Sequence, residues 1–243
     1  MARSASPVQV IVRAAVWIVV GAACYFAAQY IVAGGYYALR YAGAAVDMQS
    51  PISLLVFRLL TYIVMAALLA LAVWYRCRKV SLDDAALSRL PSWKDLGLVL
   101  PAAIVYVVAT VAVAFIAGKW FGVDLNQAQD LGFSALSGSE LLLGFIVLVV
   151  LTPIFEEAIF RGFLYGRLRR TALPWWVPAL VVSALFGVAH GQWNVGLDVF
   201  VLSMVACGLR EVTGSIWAGI VLHMAKNMLA FMLTFVFVSG IAG

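Results

Sequence analysis

Long apolar stretches alternate with short polar segments along most of the chain. A helix that crosses a bilayer needs about 20 mostly apolar residues, and seven stretches approach or reach that length. They cover approximately residues 11–32, 52–75, 96–117, 141–165, 175–190, 195–209 and 215–238. The pattern predicts an all-α, polytopic membrane helix bundle with about seven transmembrane helices, or eight if the charged segment 80–94 also inserts. Otherwise we expect that segment to lie along the membrane surface.

The polar segments carry an uneven distribution of Lys and Arg. If the N-terminus is cytoplasmic, eleven basic residues fall in inner segments, against Arg40 and Lys119 in outer loops. Cytoplasmic loops of membrane proteins carry such an excess. The count therefore predicts a multi-pass protein of the cell membrane with a cytoplasmic N-terminus. The inner residues are Arg3, Arg13, Arg76, Arg78, Lys79, Arg89, Lys94, Arg167, Arg169, Arg170 and Arg210.

Composition agrees with a membrane protein. Hydrophobic residues make up 65% of the 243 residues and charged residues 11%, whereas soluble domains average about 25% charged residues. The net charge of +5 is compatible with binding either nucleic acid or an anionic membrane surface. Because the basic residues cluster at the ends of apolar stretches, we expect a lipid bilayer as partner and no nucleic acid.

A pair of adjacent carboxylates, Glu156 and Glu157, ends an apolar run one turn after Pro153, where we expect a kink. Ionised groups at membrane depth are costly and usually functional. Arg161 lies four residues after Glu157 and therefore on the same helix face, which predicts an ion pair. Glu156 points about 100° away and becomes the candidate general base. A simpler interpretation is that these charges lie at the cytoplasmic edge and contact water.

The two histidines of the chain lie in separate apolar stretches. His190 follows Phe186 by four residues, and His223 precedes Asn227 by four, so each pair shares a helix face. An amide beside an imidazole suits the polarisation of a carbonyl group. Taken singly, either histidine is equally well explained as a hydrogen-bonded packing residue or an interhelical clamp. Together with the Glu pair, they favour a hydrolytic site in the membrane.

Three motifs resemble those of a known family: Glu156-Glu157-x-x-x-Arg161, Phe186-x-x-x-His190 and His223-x-x-x-Asn227. In order and internal spacing they are similar to the CAAX protease and bacteriocin-processing (CPBP, or ABI) family of intramembrane endopeptidases. The resemblance covers about residues 90–240. It divides the chain into N-terminal helices with a cytoplasmic linker, residues 1–90, and a catalytic helical core, residues 91–243.

The resemblance also implies a role for each motif residue. Glu156 and His190 would activate a water molecule, His223 and Asn227 would form the oxyanion site, and Glu157 with Arg161 would be a structural pair. The implied reaction is hydrolysis of a peptide bond, for which we expect no cofactor, although zinc stays possible. Its substrate would be a membrane-associated peptide or protein: a prenylated C-terminus, a leader peptide or another membrane protein.

Three alternatives remain open on the sequence. Glu156, His190 and His223 form a legitimate zinc set, although the H-E-x-x-H spacing is absent from the chain, and we favour the metal-free version. A proton-coupled transporter would use the same residues as a relay, but symmetric halves or paired broken helices are not evident. The third alternative is a non-catalytic membrane immunity or scaffold protein.

Overall fold

The computed structural model describes residues 6–125, 127, 131, 133, 135–171 and 173–237. These residues contain seven helices of 13 residues or more and one short 3₁₀ helix. The described residues contain no β-strand. The helices are Pro7–Tyr41 (α1), Pro51–Cys77 (α2), Trp93–Phe121 (α3), Ser139–Arg169 (α4), Trp176–Val188 (α5), Trp193–Thr213 (α6) and Trp217–Phe237 (α7). Five of them, α1 to α4 and α7, are long and apolar enough to cross a membrane. The predicted all-α, multi-pass architecture is confirmed.

The first helix is longer than its apolar stretch predicts. The predicted apolar stretch ends near residue 32, but α1 continues through Gly34 and Gly35 to Tyr41. Glycine weakens a helix in water chiefly through backbone entropy and exposure of the backbone to solvent. Inside a bilayer every backbone N–H and C=O needs an internal partner, a condition that the helical conformation of both glycines meets.

The charged segment after α2 forms one short 3₁₀ helix, Leu82–Ala85, which is too short to cross a membrane. The C-terminal end of the charged segment is held against α3 by Asp95, whose side chain is fully buried. Both oxygens of Asp95 accept hydrogen bonds from the Arg89 guanidinium, at 2.6 and 2.7 Å, and these bonds raise the pKa of Arg89. Ser92 caps the start of α3 through the Asp95 backbone N–H. The segment is therefore anchored at the point where α3 begins.

Helix α4 alternates between α-helical and wider π-helical turns. Residues Phe145–Leu151 and Glu157–Tyr165 are π-helical, and Thr152–Glu156 between them is α-helical. The backbone N–H of Thr152 donates to the carbonyl of Val147, five residues earlier. We expected Pro153 to kink an α-helix, and the structure places it between the two π-helical stretches instead. Such turns are rare and occur frequently at functional sites.

The chain forms two compact units. The first unit comprises Met1–Val19, Ser81–Gln129 and Glu157–Leu222, and the second comprises Val20–Val80, Asp130–Glu156 and His223–Gly243. Apolar side chains of α3, α6 and α7 build one core of the first unit: Ala102, Leu202, Leu209, Ala218 and Leu222. The second unit is centred on Leu55, Leu136, Val147, Leu148, Val149, Phe231 and Phe235. The domain boundary predicted near residue 90 stays a prediction.

Candidate active site

Glu156 of α4 and His223 of α7 lie side by side in the second unit. Oε2 of Glu156 is 3.6 Å from Nε2 of His223, and the two residues are 6% and 2% exposed. This separation is longer than a good hydrogen bond and within the distance that one bridging water molecule can span. A buried carboxylate beside a buried imidazole is a pair that can move a proton.

Tyr62 of α2 is a third member of this group, and sequence reasoning missed it. Its hydroxyl donates a hydrogen bond to Oε1 of Glu156. Its ring stacks on Phe155, with 6.0 Å between centroids and 7° between planes. The available signal was a tyrosine in the middle of an apolar helix, because a buried tyrosine hydroxyl usually has a hydrogen-bond partner.

Asn227 lies one turn after His223 on α7, as the four-residue spacing predicts. Its side-chain Nδ2 donates a 2.9 Å hydrogen bond to the main-chain carbonyl of Leu148 in α4. Nδ2 carries two hydrogens, so this bond uses one of them. The structure therefore gives Asn227 an interhelical hydrogen bond, and its role at an oxyanion stays a prediction.

Glu157 and Arg161 lie in the first unit, and both side chains are fully buried. Nη1 of Arg161 is 3.2 Å from Oε1 of Glu157. The guanidinium carbon is 4.2 Å from the centre of the Phe186 ring, which places a cation over an aromatic face. The arrangement suits a structural ion pair, the role that the sequence predicts for these residues.

His190 also lies in the first unit, just beyond the end of α5. The helix ends at Val188, two residues earlier than expected, and Gly191 turns the chain with a φ of +72°. The imidazole packs edge-on against Phe186, with ring centroids 4.8 Å apart. Nδ1 is 2.8 Å from the Phe186 carbonyl oxygen, so Nδ1 donates to that oxygen, and in the neutral imidazole Nε2 is the acceptor nitrogen.

The predicted site residues are thus distributed over both units. The second unit holds Glu156, His223 and Asn227, and the first holds Glu157, Arg161 and His190. The pairing of Glu156 with His190 around one water stays a prediction. Among the described residues of the second unit, no third His, Cys, Asp or Glu joins Glu156 and His223 to form a metal site. A catalytic zinc site takes three protein ligands, and the alternative with Glu156, His190 and His223 as those ligands stays a prediction.

Comparison with known proteins agrees with the motifs. Residues 138–229, less than half of the chain, match a family model described as type II CAAX prenyl endopeptidase Rce1-like. This match confirms the resemblance to the CAAX protease family. An uncharacterized 24.3 kDa protein of Escherichia coli is 27% identical over 122 residues, which are 49% of this chain and 56% of that relative. The chain thus spans a little over half of that relative's length. No solved structure matches the chain.

Proposed function

We propose that this chain is an intramembrane endopeptidase that hydrolyses a peptide bond with a water activated by Glu156. The single observation that carries the proposal is the buried 3.6 Å contact between Glu156 and His223, within a segment similar to a family of membrane endopeptidases. The family gives the reaction class, and the contact supplies a carboxylate and an imidazole where a water can touch both.

In the proposed reaction Glu156 takes a proton from the water. The resulting hydroxide attacks the carbonyl carbon of the scissile bond, and His223 with the second amide hydrogen of Asn227 donates to the oxyanion. The C–N bond then breaks, and the proton held by Glu156 passes to the leaving amine. His190, through its acceptor Nε2, is proposed to orient the same water. The reaction forms no covalent intermediate and needs no cofactor.

The proposed substrate is a membrane-associated peptide or protein, cleaved near its C-terminus or within its leader. The description of the matching family names prenyl endopeptidases, which makes a prenylated C-terminal peptide the first substrate to test. The proposed location is the cell membrane, with the N-terminus in the cytoplasm.

The test compares purified wild type with Glu156→Gln in one detergent, using a prenylated reporter peptide and a membrane extract analysed by mass spectrometry. We expect Glu156→Gln to lower turnover by about 10²–10⁴, the usual contribution of a general base. Glu140→Gln is the matched control, because Glu140 also lies on α4, sixteen residues before Glu156, and its carboxylate accepts hydrogen bonds from the backbone N–H and the hydroxyl of Ser137. Equal turnover by wild type and Glu156→Gln would refute the proposal.

Two further measurements address the alternatives left by the sequence. Activity and metal content before and after chelation decide whether zinc takes part: loss of activity that zinc restores would favour the metalloprotease version. A Glu156→Ala/His190→Ala double variant that keeps the cellular phenotype would favour a non-catalytic scaffold. Proton uptake coupled to solute, abolished by the same double variant, would favour a transporter.

A further inference from the structure

Tyr62 contacts the candidate base from outside the segment that matches the endopeptidase family. It lies in α2, 94 residues before Glu156, whereas the match begins at residue 138. Both residues belong to the second unit, so their contact is internal to one compact body.

The two oxygens of Glu156 face different groups. Oε1 accepts the hydrogen bond of the Tyr62 hydroxyl, and Oε2 is 3.6 Å from Nε2 of His223. The last torsion of a glutamate side chain is soft and has a broad distribution. A hydrogen bond to one oxygen therefore determines where the other oxygen points, and in this structure it points towards His223.

The Tyr62 ring is itself well supported. It stacks almost parallel on Phe155, the residue immediately before Glu156. Helix α2 is anchored one to two turns earlier by Leu55, which is fully buried in the core of the second unit with Val147 and Val149 of α4. The hydroxyl is thus held by the packing of α2 against α4, and its position does not depend on Glu156 alone.

We propose that Tyr62 is a positioning residue of the reaction, which holds Oε1 of Glu156 so that Oε2 faces the water beside His223. The inference rests on the proposed function. It extends the working site to α2, in the part of the chain outside the matched segment. Tyr62 forms no bond with the substrate and transfers no proton in this account.

The experiment measures kcat and KM for Tyr62→Phe, which keeps the ring and its stacking and removes only the hydroxyl. A hydrogen bond to a charged group corresponds to about a 10–100-fold change in rate, so we expect kcat to fall by that factor while KM stays within about twofold. Tyr36→Phe is the matched control, because the Tyr36 hydroxyl donates to the Val46 carbonyl in the same unit and has no part in the proposal. Its kcat should equal that of wild type.

Two measurements separate positioning from simple stability. In the Glu156→Gln background, Tyr62→Phe should lower the residual turnover no further, because the carboxylate that it positions is gone. Replacement of Tyr62 by 4-aminophenylalanine, which keeps a donor on the ring, should recover at least part of kcat whatever the melting temperature of Tyr62→Phe. If Glu156→Gln is inactive while Tyr62→Phe has the kcat of wild type, the positioning role of Tyr62 is refuted and the proposed function stands. If Glu156→Gln is fully active, the proposed function is refuted, and the positioning role of Tyr62 is refuted with it.

Discussion

The side-chain amide of Asn227 occupies the place of a backbone N–H that α4 lacks. Thr152 donates to the carbonyl of Val147, five residues earlier. In the same π-helical register the next N–H, that of residue 153, would reach the carbonyl of Leu148. Pro153 has no N–H, and Nδ2 of Asn227 donates to the Leu148 carbonyl at 2.9 Å instead. A side chain of α7 thereby satisfies a carbonyl beside the candidate active site.

Asn227→Ala should destabilise the protein by about 1–3 kcal/mol, because it leaves a buried carbonyl without its donor. In a Pro153→Ala background the loss should be smaller, since alanine at that position supplies the missing N–H. Thermal unfolding of the four proteins in one detergent measures both effects. The same stability loss in both backgrounds would contradict this account of the Leu148 carbonyl.

Turnover should respond differently to the same variants. If Asn227 also donates to the oxyanion, Asn227→Ala lowers kcat by about 10²–10³, and Pro153→Ala does not restore it. Recovery of turnover together with stability would instead assign Asn227 a purely structural role.

The buried pair of Glu157 and Arg161 should be sensitive to the loss of one partner. Arg161→Met keeps much of the side-chain volume but leaves the Glu157 carboxylate uncompensated, at a cost of about 3–5 kcal/mol. Adding Glu157→Gln should recover part of that loss, because it removes the buried charge. Arg170→Met is the control, because the Arg170 side chain is 58% exposed and its contact with Asp84 is long, at 3.6 Å. We expect its free energy of unfolding to change by no more than about 0.5 kcal/mol. Melting temperatures and membrane yield are the readouts.

Gly162 lets the short 3₁₀ helix approach α4 closely. A Cβ at position 162 would lie 2.4 Å from the Ala85 carbonyl oxygen and 2.8 Å from its carbon. Gly162→Ala should therefore push the backbone at Ala85 away from α4 and lower the free energy of unfolding by about 1–3 kcal/mol. Gly208→Ala is the matched control in α6, where a Cβ meets nothing within 4 Å, and there the better helix propensity of alanine should leave stability unchanged or higher. Equal melting temperatures for the two variants would contradict this close approach.

Cys77 provides a direct test of the membrane orientation. It is exposed at the end of α2, beside Arg76, Arg78 and Lys79, in a segment predicted to be cytoplasmic. In a Cys24→Ala/Cys207→Ala background, a membrane-impermeant maleimide should label Cys77 in inside-out vesicles but not in intact cells. Lys119→Cys in a background without native cysteines should show the opposite pattern. Labelling of Cys77 in intact cells would reverse the proposed topology.

Sequence alone determined the helical, membrane-spanning character of the protein and three motifs of its candidate site. Both follow from local properties: transfer of an apolar stretch into lipid is favourable residue by residue, and a four-residue spacing places two side chains on one helix face. The expected contacts Glu157–Arg161 and Phe186–His190 are of this local kind, and the structure contains both.

The tertiary structure decided the features that depend on packing between distant segments. It placed Tyr62 on Glu156 and Asn227 on the Leu148 carbonyl, and it widened α4 on both sides of Pro153. Apolar periodicity reports which face of a helix avoids water, and in a bilayer lipid and protein satisfy that preference equally. It therefore contains no information about which helix a tyrosine or an asparagine will meet, and only the packed arrangement supplies the partner.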